Sequence, residues 1–109
     1  MDNRGLLETT LVVAMGEFGR TPRINRDRGR DHYPAAGSVL FAGAGMNRGA
    51  VIGAPDRIGS RPITRAWIPE DVVASIYHAL GMNPHKTDYP RLTRPKPIST
   101  GQVIDGLFA

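Results

Sequence analysis

Two side chains in this sequence are of the types that metal-assisted chemistry uses, a carboxylate at Glu17 and an imidazole at His32. Glu17 lies in Gly16-Glu17-Phe18-Gly19-Arg20-Thr21-Pro22, directly after an apolar run. If that run is a buried parallel strand, Glu17 falls at the carboxyl edge of the sheet, where open α/β folds bind ligands. Gly16 and Gly19 would let backbone come close to a ligand, and Arg20 suits either an anion or the Glu17 carboxylate itself. The plainer alternative is an Arg20–Glu17 ion pair that only fixes the loop. His32 belongs to a second cluster, Gly29-Arg30-Asp31-His32-Tyr33-Pro34. One of its ring nitrogens can hold a metal while a carboxylate such as Asp31 orients the other. Neighbouring Asp and His rarely pair directly, and a loop histidine with no ligand is the bland alternative. Glu17 and His32 make only two ligands, fewer than the three or four that protein and solvent must supply. Asp31, Asn25 or residues outside the chain would complete a site for a divalent metal such as zinc, calcium or magnesium. With zero Cys, no thiolate contributes.

The segment between these two residues is rich in arginine. Arg20, Arg23, Arg26, Arg28 and Arg30 all fall between Gly19 and Asp31, and the net charge is +4. Arginine suits two-pronged recognition of phosphate, sulfate or carboxylate, so a small anionic substrate is the expected ligand, with Arg20 and Arg30 as its anion-binding residues. A solvated basic loop is the alternative. Phe18 and Tyr33 are the only aromatics nearby and no nucleic-acid-binding signature is present, which argues against nucleic acid. The glycines of residues 43–49 lack the spacing and the following helix of a dinucleotide site. No Gly-x-Ser-x-Gly elbow occurs, so a serine nucleophile is not expected here.

The elements that must position these residues are partly readable. Residues 9–15 form a continuous β-rich apolar run, as expected of a strand buried on both faces, and residues 38–42 repeat the pattern. Residues 16–37 show neither helical nor strand period, and structureless stretches of that length are usually functional or disordered. Residues 50–53 suggest a short strand, residues 55–60 a turn and residues 61–64 an edge strand. The clearest helix is 69–80, with Pro69 in its first turn, Glu70 and Asp71 favourable to its N-terminal dipole, and Gly81 to stop it. Val72, Val73, Ile76, Tyr77 and Leu80 recur at helical spacing and should pack on the sheet, leaving His78 in solvent. Pro84, Pro90, Pro95 and Pro97 make residues 82–109 an irregular tail that Ile98, Val103 and Ile104 would pin. Residues 1–8 resemble the last turn of a helix, as though the chain began mid-fold.

Composition sets outer bounds. Hydrophobic content of 40% and charged content of 22% are near globular averages, and no run approaches a membrane span or a secretory signal. The compartment therefore stays unknown. A chain of 109 residues fits one small domain burying roughly 60–70% of its unfolded surface.

Leu11-Val12-Val13-Ala14-Met15-Gly16-Glu17-Phe18-Gly19-Arg20-Thr21-Pro22, followed by Gly29-Arg30-Asp31-His32-Tyr33, resembles the domain of unknown function 1501 family. The likeness continues through Val39-Leu40-Phe41-Ala42-Gly43, Ile76-Tyr77-His78-Ala79-Leu80-Gly81 and the ending from Val103 to Phe108. That family is similar to sulfatases and alkaline phosphatases, whose α/β/α sandwich carries two divalent metals and a Ser, Thr or modified Cys nucleophile at the edge of a mostly parallel sheet. The resemblance implies that residues 1–109 are a single partial domain, the C-terminal portion of a longer protein whose nucleophile and first metal ligands lie upstream. An upstream chain, or self-association, would then cover the sheet edges, and full-length relatives would be exported. In the phosphatase pattern an Asp-His pair follows this strand and a further His comes from the next loop. The carboxylate role carries over to Glu17 and the later histidine role to His32, whereas Phe18, at the position of the pair's histidine, cannot coordinate a metal.

Together these readings lead to an α/β fold, an incomplete alkaline phosphatase-like α/β/α sandwich with a mostly parallel sheet. The expected function is that of a fragment of a sulfatase- or phosphatase-like metallohydrolase, inactive alone. Glu17 and His32 would be its metal ligands, Arg20 and Arg30 its anion-binding residues, and Asp31 and Asn25 their supports. The alternatives are a non-catalytic module that keeps the fold, or an arginine-rich anion-binding domain.

Overall fold

Val12–Met15 form strand β1 and Val39–Ala42 form β4, and the two pair antiparallel, Val12 opposite Ala42 and Met15 opposite Val39. Between them Gly19–Arg20 (β2) and His32–Tyr33 (β3) make a second antiparallel ladder. This computed structural model describes residues 1–88 and 95–109. Its described residues group into two units, Met1–Ala66 and Trp67–Ala109.

The expected mostly parallel α/β/α sandwich is therefore incorrect: each of the paired ladders is antiparallel. Parallel neighbours need a crossover of a dozen or more residues, usually a helix. Residues 16–37 form no helix; they turn the chain back on itself, so β4 returns alongside β1 in the opposite direction. The two ladders are successive stretches of one long hairpin. Three residues, 16–18, on the outgoing arm face five, 34–38, on the returning arm, and this mismatch kinks the ribbon between ladders. The returning arm presses on Gly19, where any Cβ would overlap the Ala36 carbonyl. Nor are the strands buried on both faces. Met15, Val39 and Leu40 are exposed, because a two-stranded ribbon has no second layer of its own.

In the rest of the first unit, two short 3-10 turns, Asp2–Arg4 and Leu6–Glu8, replace the expected end of a helix. The strands expected at 50–53 and 61–64 do not form; a single antiparallel bridge joins Pro55 to Pro62. It closes a tight loop in which Asp56 N donates to Arg61 O at 2.9 Å and Ile63 N to Ala54 O at 2.9 Å.

The second unit is built on helix α1, Pro69–Ala79, within one residue of the expected 69–80. The Asp71 carboxylate takes the Ile68 N–H at 3.0 Å, and Gly81 adopts a left-handed φ of 76° past the last turn. Its buried face is Asp71, Val72, Ala74 and Ser75, whereas Val73 and Leu80 are exposed. The apolar spacing misplaced this face because two polar residues lie at its centre. Within the unit α1 packs on the C-terminal segment rather than on a sheet. Gln102 N donates to Asp71 Oδ1 at 2.7 Å and Ile104 N to Ser75 Oγ at 2.9 Å, while Ser75 Oγ donates to Asp71 O at 2.8 Å. Ser99 Oγ donates to Glu70 O at 3.1 Å, and Gly101 lies so close to Glu70 that a Cβ would overlap its carbonyl. Every polar group that α1 turns inward is thus bonded, and Ile104 and Leu107 add buried apolar surface. The proline-rich tail is irregular as expected, apart from a two-residue ladder of Thr87–Asp88 (β5) with Lys96–Pro97 (β6). Pro90 lies outside the described residues.

Candidate functional site

The β2–β3 hairpin brings together residues that are far apart in sequence. Arg20 stands directly opposite His32. The Phe18 ring lies on the His32 imidazole, with centroids 3.9 Å apart and planes tilted by 30°. The Arg20 guanidinium sits 5.8 Å from the Phe18 centroid, within cation–π reach. Phe18, the residue unable to bind a metal, is thus the platform that holds Arg20 and His32 together. Glu17 and His32 are both exposed, and neither carboxylate nor imidazole is bonded to another described residue. The Arg20–Glu17 ion pair does not form among the described residues; Arg20 Nη1 donates to Arg30 O at 3.1 Å instead.

The loop beyond the ladder is held by its own polar groups. Arg30 Nη1 donates to Thr21 O at 2.8 Å and to Pro22 O at 2.6 Å, so this guanidinium ties the two arms together. Thr21 Oγ1 accepts from Asp31 N at 3.1 Å and donates to Arg23 O at 2.8 Å. At the tip, Asn25 Oδ1 accepts from Asp27 N at 3.0 Å and Gly29 N at 2.9 Å, while Asn25 Nδ2 donates to Asp31 Oδ1 at 2.8 Å. Asp31 therefore meets Asn25 and not the His32 ring. Arg28 takes a left-handed φ of 63°, a conformation that costs a residue with a Cβ about 1–2 kcal/mol.

Of the residues singled out from the sequence, Arg20 and His32 meet at the base of this hairpin, Glu17 is exposed just before it and bonded to neither, and Asn25, Arg30 and Asp31 build its loop. Sequence reasoning missed Phe18 as a platform and Thr21 as a brace. An aromatic beside the carboxylate was the available signal for the first; for the second there was none beyond the hydroxyl. Elsewhere, Asp56 accepts from the Ser60 hydroxyl and, at 2.6 Å, from the Ser60 N–H. Those two bonds, the hydroxyl first, hold the Asp56 carboxyl below its ordinary value. His78 is exposed, as expected, with its ring edge-on to Phe108 at 4.8 Å.

The described residues contain no group of three or more His, Cys, Asp or Glu placed to hold a metal ion. Glu17 and His32 keep donor atoms that no described residue takes, and the described residues add no third ligand, so no metal site is complete among them. No helix among the described residues is long and apolar enough to cross a membrane.

The antiparallel hairpin thus carries the Arg20 guanidinium opposite the His32 imidazole, with the Glu17 carboxylate exposed just before it. The model of a family described as protein of unknown function (DUF1501) matches residues 1–108, and the chain belongs to that family. No curated protein and no solved structure matches it.

Proposed function

We propose that this chain contributes the Glu17–Arg20–His32 hairpin to a metal-dependent hydrolase of sulfate or phosphate esters, with the nucleophile and remaining metal ligands supplied by sequence upstream of residue 1. The observation that carries this reading is the Phe18 platform, which meets both His32 and Arg20 and adjoins in sequence an exposed Glu17 not bonded to another described residue. Family membership, and the likeness of the motif at residues 16–22 to the sulfatase and phosphatase pattern, support it as an analogy of motif alone, since the ladders are antiparallel. Glu17 and His32 would hold a divalent ion such as zinc, calcium or magnesium, which supplies Lewis-acid polarisation of the ester. Arg20 spends one N–H on Arg30 O and keeps the rest of its fork for the ester's anionic oxygens. Phe18 orients both side chains without taking part in the chemistry. Arg30 acts on the anion only indirectly, by fixing the loop whose carbonyl receives Arg20.

The test is metal content and hydrolysis of p-nitrophenyl sulfate and phosphate, measured on this chain alone and on the chain joined to upstream family sequence. Turnover and stoichiometric metal are expected only in the joined protein, with both lost in Glu17→Ala and His32→Ala. Hydrolysis by the 109-residue chain alone would refute the division of the site. A second reading, a non-catalytic anion-binding module, is favoured by the exposed Arg23, Arg26 and Arg28 on the same hairpin, whose guanidinium groups are bonded to no other described residue. It requires anion binding that is indifferent to chelators.

A further inference from the structure

The tip of the hairpin carries three arginines that the proposed hydrolytic site does not use. Arg23, Arg26 and Arg28 are exposed, and none of their guanidinium groups is bonded to another described residue. The turn that displays them is fixed independently of them, by Asn25 Oδ1 on Asp27 N and Gly29 N and by Arg30 on the carbonyls of Thr21 and Pro22. Arg28 occupies the one left-handed position of this turn, with glycine next to it at position 29. A glycine at 28 would relieve the backbone, so the arginine there is not explained by the turn. A single acid, Asp27, interrupts the basic run; the aromatics nearest in sequence are Phe18, already stacked on His32 and Arg20, and Tyr33 in the ladder at the hairpin's base, and none lies within the tip.

We infer that the Arg23–Arg26–Arg28 tip is a second anion subsite, so that the ligand of this hairpin is a linear polymer bearing phosphate or sulfate groups along its length. This rests on the reading of Arg20 as an anion-binding residue and adds a subsite for neighbouring groups of the same polymer. A turn braced by its own side chains presents three guanidinium groups on a backbone with little ordering left to lose, so the ordering cost of binding is confined to the arginine side chains. With no free aromatic at the tip, charge is read and bases are not, which favours a polymer without stacking groups over a nucleic acid.

The test is isothermal titration of the full 109-residue chain with orthophosphate and with long-chain inorganic polyphosphate. Variants are Arg23→Gln/Arg26→Gln/Arg28→Gln, a control that removes the same charge elsewhere (Arg48→Gln/Arg57→Gln/Arg61→Gln), and Arg20→Gln. All substituted side chains of the two triple variants are exposed. Polyphosphate should bind the unaltered chain at least ~10-fold tighter than orthophosphate, with a log–log salt slope that falls by roughly two in the tip variant, about 0.7 for each phosphate that an arginine no longer neutralises. The control should keep its polyphosphate affinity. Equal losses in tip variant and control would reduce the effect to net charge and overturn the proposal, as would full retention in the tip variant. A single-stranded oligonucleotide of matched charge binding more tightly than polyphosphate would also overturn it, by giving bases a role. Arg20→Gln separates the two readings: if orthophosphate binding survives it while the tip effect persists, the proposed role of Arg20 fails and the tip subsite stands.

Discussion

At the scale of single residues, the hairpin divides its arginines into one that lies by the Phe18 ring, one that braces the loop and three whose guanidinium groups are bonded to no other described residue. Arg20 and Arg30 look alike in sequence, yet only the pairing of β2 with β3 shows that Arg30 turns inward onto two carbonyls. Asn25 has the larger structural task, since its single side chain makes three hydrogen bonds. Asn25→Ala should cost about 1–2 kcal/mol of local stability, read as faster exchange of the Gly29 amide; unchanged exchange would show that the backbone alone holds the turn. Asn25→Asp keeps the acceptor for Asp27 and Gly29 but sets a carboxylate against Asp31, so its defect should ease on acidification. Asp56 supplies a second pH test. Its folded carboxyl titrates below the unfolded value, so its contribution is full well above the unfolded value of about 3.9 and lost as pH falls through the folded value. An NMR titration should find the Asp56 carboxyl shifted back upward in Ser60→Ala, because the hydroxyl bond is the largest cause. Glu17, His32 and Arg20 were picked out by residue type and motif, and of these the fold brings Arg20 and His32 together. The stacking of Phe18 on His32 was not, because it depends on a register fixed by pairing across the hairpin.

At the scale of elements, the helix was readable and the sheet was not. Pro69, the acidic first turn and Gly81 are local signals, and α1 begins and ends within one residue of where they place it. Strand direction is a non-local property. An apolar run such as Val12–Met15 suits a buried parallel strand and an antiparallel ribbon alike, and only the path of residues 16–37 decides between them. The buried face of α1 was misread for a related reason: Asp71 and Ser75 are buried by hydrogen bonds to Gln102 and Ile104, which hydropathy spacing does not register. This seam is sterically tight at Gly101. Gly101→Ala should push the C-terminal segment off α1, costing about 1–3 kcal/mol and accelerating amide exchange at Ile104. Calorimetry showing an unchanged Tm would mean that the segment can shift to admit a methyl group.

At the scale of the whole molecule, family membership extends over residues 1–108, while the reaction class rests on analogy. The exposed Met15, Val39 and Leu40 of the β1–β4 ribbon, which pairs with no third strand among the described residues, predispose the chain to associate when alone. Sedimentation equilibrium should show concentration-dependent association that Leu40→Glu reduces; a monomer at every concentration would remove that expectation. The central claim is that Glu17 and His32 act together on a metal ion, and it can be tested on the chain itself. Two ligands give weak affinity, so the direct measurement is line broadening of backbone amides on titration with Mn²⁺. Selective broadening at Phe18, Gly19, His32 and Tyr33, abolished in Glu17→Gln and in His32→Ala, is the expected result. Broadening spread evenly over the exposed carboxylates, or selective broadening that survives both substitutions, would contradict the claim and leave the hairpin as an anion-binding element alone.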